Sequence, residues 1–124
     1  MVVDERTEEA VDGLFHALSD ATRRDIVRRC AEGDRSVSRL AESYPMSFAA
    51  VQKHVAVLER AGLVTKERRG REQLVHTDIA AVDRVRHALD ELEQTWRDRA
   101  ERMSDLLARG PKRRRANSEE DTTR

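Results

Sequence analysis

Apolar positions along the chain repeat first at helical and then at alternating spacing. Val11, Leu14, Phe15 and Leu18 stand at i, i+3, i+4 and i+7, one face of a first helix. Ser19-Asp20 offers a side-chain oxygen to cap a second helix beginning near Ala21, with Ile26, Val27 and Cys30 inward and Gly33 as its stop. Ser36-Val37-Ser38 opens a short third helix with Leu40 and Ala41 inward, and Pro45 ends it by disfavouring helical geometry at Tyr44. Ser47 caps a fourth helix from about Phe48 to Ala61, whose buried stripe is Val51, Val55 and Leu58, with Gly62 at the left-handed C-cap position. The period then changes. Residues 63–68 and 72–77 read as two short strands flanking Arg69-Gly70-Arg71, a basic β-hairpin.

Asp78 caps a last helix from Ile79 to about Arg109. Along it Val82, Val85, Leu89, Leu92, Trp96, Met103 and Leu106 follow steps of three and four, broken only by Arg99. So long a seam exceeds what the small preceding core can cover, which assigns part of it to a second subunit. The expected dimer interface is Leu14 and Phe15 on the first helix with Val85, Leu89, Leu92, Trp96 and Met103 on the last. The element order is ααααββα, mainly α with a small β-hairpin. Residues 1–109 read as one domain for binding and dimerisation, and 110–124, polar and charged after Gly110-Pro111, as a disordered tail.

Composition narrows the class. Only 38% of residues are apolar and 39% are charged, which suits short amphipathic helices supplemented by a dimer interface. The opening residues lack the basic start and apolar run of a secretion signal, and no apolar stretch nears the roughly 20 residues of a membrane span. One cysteine, Cys30, forms no internal disulfide, consistent with a reducing compartment. The expectation is a cytoplasmic protein with no membrane contact. Net charge is zero, but the charges are segregated. Residues 1–12 hold five acids and one arginine, whereas Ser47–Arg71 hold six basic residues and two acids. No phosphate-cradling glycine loop, nucleophile elbow or cysteine–histidine pairing is evident, so no enzyme is expected.

Two short helices joined by a tight turn, the second serine-capped, have the geometry of a helix-turn-helix, and the hairpin makes it a winged one. The fourth helix would direct its N-terminal N–H groups toward phosphates and its exposed side chains into a major groove about 12 Å wide. Gln52 has the chemistry to pair bidentately with adenine, and Lys53 to reach guanine acceptors or phosphate. The residues assigned to double-stranded DNA are Ser38, Ser47, Phe48, Ala49, Gln52 and Lys53, with Arg68, Arg69 and Arg71 of the hairpin on flanking backbone or minor groove.

Three spaced segments carry a family resemblance. They are Leu18-Ser19-Asp20-Ala21-Thr22-Arg23-Arg24, then Val37-Ser38-Arg39-Leu40-Ala41, then the run from Met46 to Val64 that includes Gln52-Lys53-His54-Val55 and Leu58-Glu59-Arg60-Ala61-Gly62-Leu63. Together they resemble the ArsR/SmtB family of winged helix regulators over roughly residues 11–107. The resemblance implies a homodimer joined by its first and last helices, with the fourth helix and wing on DNA. The last helix, with Trp96, is similar to the metal-independent autorepressor branch. No metal site and no cofactor are expected. Val37-Ser38-Arg39-Leu40 stands where metal-sensing members have a Cys-x-Cys pair, and Asp83 and His87 lack the spacing and partners of their last-helix site. Gln52 replaces the family's frequent serine, so a base preference does not transfer. The implied action is repression by occluding an operator. The operator and any small-molecule inducer are not legible in the residues.

Several residues have a plainer reading beside the functional one. His54 is expected in a structural hydrogen bond between helix and wing, and Cys30 as a buried inert thiol. Trp96 reads as dimer or core packing, with lining of a small-molecule pocket as the lesser alternative. Phe48 is open between thymine-methyl contact and packing under the turn. Arg23 and Arg24 match a family motif but sit where local salt bridges form. Lys112–Arg115 reads as a solvated tail before a DNA arm. The rival class is a winged helix serving as a protein–protein interaction module, against which the basic wing counts.

Overall fold

The computed structural model describes residues 5–109. The proposed tail, 110–124, and its Lys112–Arg115 run lie outside them. The elements are α1 (Glu5–Ala17), α2 (Ala21–Glu32), β1 (Arg35–Ser36), α3 (Val37–Glu42), α4 (Phe48–Ala61), β2 (Val64–Arg69), β3 (Glu72–Thr77) and α5 (Ile79–Ala108). The chain divides into two compact units, one through Ala88 and one from Leu89 onward, so the division falls within α5.

The first unit is built on the stripes that the spacing picks out. Leu14, Ile26, Leu40, Val51, Val55, Leu58, Leu63, Val64 and Val75 are buried in one cluster with Ala17, Ala81 and Val85. Each fully buried aliphatic side chain of this kind stabilises a fold by about 1.5–3 kcal/mol. Caps fix the helix starts. Asp20 Oδ2 accepts from Arg23 N at 3.0 Å, Ser36 Oγ from Arg39 N at 3.0 Å, Ser47 Oγ from Ala50 N at 3.1 Å, and Asp78 Oδ1 from Ala80 N at 3.0 Å. Gly62, at φ 86°, closes α4 in the left-handed conformation.

The structure differs from the sequence reading at three places. Gly33 follows α2 but at φ 172°, extended and not left-handed, because the chain passes straight into β1. That strand is an element the sequence reading lacks: Arg35 and Ser36 pair with Val75 and Leu74, turning the hairpin into a three-stranded antiparallel sheet of order β1-β3-β2. Finally, α3 ends at Glu42, earlier than Pro45 alone requires.

The wing register is Val64↔Thr77 through Arg69↔Glu72, leaving Gly70-Arg71 as a two-residue turn with Gly70 at φ 64°. Arg69 is therefore the last residue of its strand. Thr77, itself buried, donates its hydroxyl to the carbonyl of Val27 at 2.8 Å, fastening the end of the wing to α2.

The second unit is the remainder of α5. Its side chains are exposed throughout, including Leu92 at 68%, Trp96 at 64% and Leu106 at 64%. Among the described residues no helix is long and apolar enough to cross a membrane.

Candidate nucleic-acid interface

The placement of α4 follows from two anchors. Its stripe of Val51, Val55 and Leu58 is buried, which leaves Phe48, Ala49, Gln52 and Lys53 exposed on the opposite side of the first turns. Preceding it, Tyr44 ties the α3–α4 turn to α2: its hydroxyl donates to Asp25 Oδ2 at 2.6 Å. The same carboxylate accepts from Arg29 Nε at 2.7 Å and Arg28 at 2.6 Å, while the Arg29 guanidinium lies 5.6 Å from the Tyr44 ring centre. Hydrogen bonds from Tyr44, Arg29 and Arg28 hold the Asp25 carboxyl far below the usual carboxylate range. Burial, followed by the Asp25 contact, pushes the Tyr44 phenol up to about 12. The sequence reading missed this cluster, whose partners Asp25 and Tyr44 lie 19 positions apart.

A second anchor holds the far side of α4. Arg23 donates through Nε to the carbonyl of Ala17 at 2.7 Å, and its other nitrogens reach the carbonyl of His16 and, at 3.2 Å, Nδ1 of His54. A guanidinium only donates, so His54 Nδ1 accepts. Arg24 reaches the carbonyl of Leu18 at 2.7 Å. Both arginines of the family-like motif thus satisfy carbonyls at and just beyond the C-terminal end of α1. His54 has the structural role expected of it, but its partners Arg23 and Asp20 belong to the start of α2 and not to the wing.

Between α4 and the wing lies a groove of about 310 Å³, lined by Val37, Ser38, Phe48, Gln52, Arg68, Arg71, Glu72 and Gln73. It brings together Ser38 of α3, Phe48 and Gln52 of α4, and Arg68 and Arg71 of the wing. Ala49 and Lys53 are exposed on α4 outside its lining, as is the capping Ser47. Phe48, 46% exposed, faces this groove and is not buried beneath the turn. Arg69 stands apart: it is absent from the lining and its guanidinium pairs with Glu67 at 3.3 Å. Gln73, half-buried in the groove, is a lining residue that the sequence reading lacks; strand alternation places it opposite Arg68.

The expected interface residues separate in the same way. Leu14 is fully buried and Val85 nearly so, both within the chain's own core, which leaves them almost no surface for a partner. Phe15, Leu89, Leu92, Trp96 and Met103 are exposed. Trp96 and Met103 line an open concavity on the distal part of α5 together with Arg99, Ala100, Ser104 and Leu107.

The donor set for a metal does not fit. Cys30 is buried, and desolvation pushes its thiol up to about 11, opposing the thiolate a metal requires. Val37 and Leu40, which bracket the expected ligand positions of the third helix, belong to the core, and Asp83 on α5 is paired with Arg86. Among the described residues no three His, Cys, Asp or Glu side chains are grouped to hold an ion.

A serine-capped helix with polar outward side chains, beside a basic two-stranded wing, defines a winged helix DNA-binding protein. The comparisons with known proteins agree. Residues 18–67 match a family described as a helix-turn-helix domain. The HTH-type transcriptional regulator Rv2034 of Mycobacterium tuberculosis is 37% identical over 84 residues, covering 68% of this chain and 78% of that protein. A solved ArsR-like transcriptional regulator from Rhodococcus sp. RHA1 superposes with a TM-score of 0.70 at 30% identity, over 81% of this chain and 94% of that one. A solution structure of the homodimeric winged helix-turn-helix domain of Mb0332 from Mycobacterium bovis, described as a possible ArsR-family regulator, gives 0.58 at 25% identity, over 79% and 91%. The chain belongs to the ArsR/SmtB family of winged helix-turn-helix regulators. It is a DNA-binding transcriptional regulator and not an enzyme.

Proposed function

We propose that this protein is a cytoplasmic, metal-independent repressor that acts as a homodimer, setting two α4 helices in successive major grooves of a pseudo-palindromic operator and occluding it. The observation that carries the reading is the groove between α4 and the wing. Gln52, Arg68 and Arg71 line it, and none of the three has a side-chain hydrogen bond or ion pair among the described residues. Ser38, Ser47, Phe48, Ala49 and Lys53 surround Gln52 as the remaining helix-borne contacts, Ser47 and Ser38 to phosphate and Gln52 to a base edge.

The dimer rests on the exposed apolar run Leu89, Leu92, Trp96 and Met103 with Phe15 of α1, since side chains of this size are rarely left in water along a whole helix face. The homodimeric state of the Mycobacterium bovis domain supports the same arrangement. Metal independence rests on the buried thiol and the unsuitable donor set described above.

Nuclease protection on fragments of the source genome selected by the protein tests the reading. The expected footprint contains two half-sites about 10–10.5 base pairs apart, or a multiple of that, unchanged by zinc or by a chelator. A protected site with a single half-site, or release of DNA on adding zinc, contradicts it.

A further inference from the structure

We infer that Gln73 is a further DNA-contacting residue, which grips a backbone phosphate together with Arg68 and Arg71, while Arg69 of the same wing makes no bond to DNA. This rests on the DNA reading above and divides the wing that the reading treats as one basic surface.

Successive side chains of a strand point to opposite faces, and directly paired residues of an antiparallel ladder share a face. The register therefore sorts the wing. Val64, Lys66 and Arg68 lie on one face with their partners Thr77, Val75 and Gln73. That face is the one turned to α4: Val64, Val75 and Thr77 are buried, and Lys66 Nζ reaches Glu59 of α4 at 3.3 Å. Arg69 belongs to the other face with Glu67, whose carboxylate it holds at 3.3 Å.

The consequence is a difference in available donors. Among the described residues the side chains of Arg68, Arg71 and Gln73 have no hydrogen-bond or ion-pair partner, and all three line the groove opposite Phe48 and Gln52. Arg69 is outside that groove and already neutralised by Glu67. A helix lying in a major groove has a phosphate strand along its flank, and the groove between α4 and the wing is where that strand would pass. Two guanidinium groups and a neutral amide donor facing one channel fit a phosphate, which accepts from all of them.

Three single variants of the full chain separate the roles: Arg68→Ala, Arg69→Ala and Gln73→Ala. Each is titrated at several salt concentrations against a duplex selected from a random library by the unmodified protein, and against a scrambled duplex of equal composition. Arg68→Ala should lower the salt slope by about 0.9 for each phosphate it no longer neutralises, hence about 1.8 for a dimer. Gln73→Ala, which removes no charge, should weaken both duplexes alike, by roughly five- to tenfold for a hydrogen bond to a charged group, with the slope unchanged. Arg69→Ala should match the unmodified protein. Since these side chains lie on the surface or line an open groove, unchanged melting temperatures should accompany all three. The inference is overturned if Arg69→Ala lowers the slope as much as Arg68→Ala. It is also overturned if Gln73→Ala binds like the unmodified protein, or if it loses affinity for the selected duplex alone, which marks a base contact. Failure of the unmodified protein to bind either duplex in a salt-dependent way would instead remove the DNA reading itself.

Discussion

Asp25 accepts from Tyr44, Arg29 and Arg28 at once, and this one carboxylate joins α2 to the turn that presents α4. Asp25→Asn leaves the shape but weakens three charge-assisted bonds. With the side chain 29% exposed, a loss of about 1–2 kcal/mol is expected, less than three isolated bonds would sum to. The carboxyl is depressed in the folded state, so its contribution is fully present above the unfolded value and is lost as pH falls through the folded one. Urea unfolding should therefore show the full gap between wild type and Asp25→Asn at pH 7 and pH 5, closing only on acidification below about 4. A gap that widens in acid would contradict the assignment. Cys30 tests burial directly. With its thiol pushed up to about 11, alkylation of the native protein at pH 8 should be slower than that of the urea-unfolded chain by at least about 100-fold. Little of this residue chemistry is legible in the sequence. The buried thiol follows from its place on an apolar face, but the Tyr44–Asp25 bond joins distant positions, and no periodicity marks such a pair. His54 is recognisable as structural, yet its partner depends on how α2 crosses α4, which spacing does not encode.

At the scale of elements, the sequence is most readable where a cap has a specific chemical requirement. Ser47 and Gly62 bound α4 because an N-cap needs a side-chain acceptor and the left-handed C-cap favours a residue without Cβ. Ser47→Ala should cost about 0.5–2 kcal/mol in chemical denaturation. Gly62→Ala should cost about 1–2 kcal/mol from backbone strain alone, since a Cβ there would meet no atom within 4 Å. Gly62→Ala should leave salt dependence and sequence preference of DNA binding as they are, because it acts at the end of α4 remote from Gln52; a changed preference would mean that the C-cap sets the helix orientation on DNA. β1 escapes the sequence reading because two residues carry no alternation, and only pairing with β3 gives them a strand geometry. The extent of the wing is legible, but not its division into a face toward α4 and a face away. That division needs the register, and the register turns on the Gly70-Arg71 turn being two residues long.

On the scale of the whole molecule, the apolar seam is legible as a pattern, whereas its allocation is not. Leu14 and Val85 go to the chain's own core, and the side chains from Leu89 onward are exposed, because hydrophobic spacing marks a face to be buried without saying by what. Replacing Leu92 and Trp96 together with glutamate should yield monomers in sedimentation at micromolar concentration, with operator affinity reduced by more than tenfold and melting of the first unit preserved. A monomeric wild-type protein under the same conditions would contradict the dimer. The account turns, finally, on α4 carrying the sequence information. Gln52→Ala removes one bidentate base contact, worth roughly 1–3 kcal/mol of discrimination, and no charge. The most direct measurement is the ratio of its affinities for the selected duplex and for scrambled DNA, taken across a salt series beside the wild type. The account predicts that this ratio collapses toward one while the salt slope stays as in the wild type. A Gln52→Ala protein that keeps its preference for the selected duplex would show that the sequence is read elsewhere.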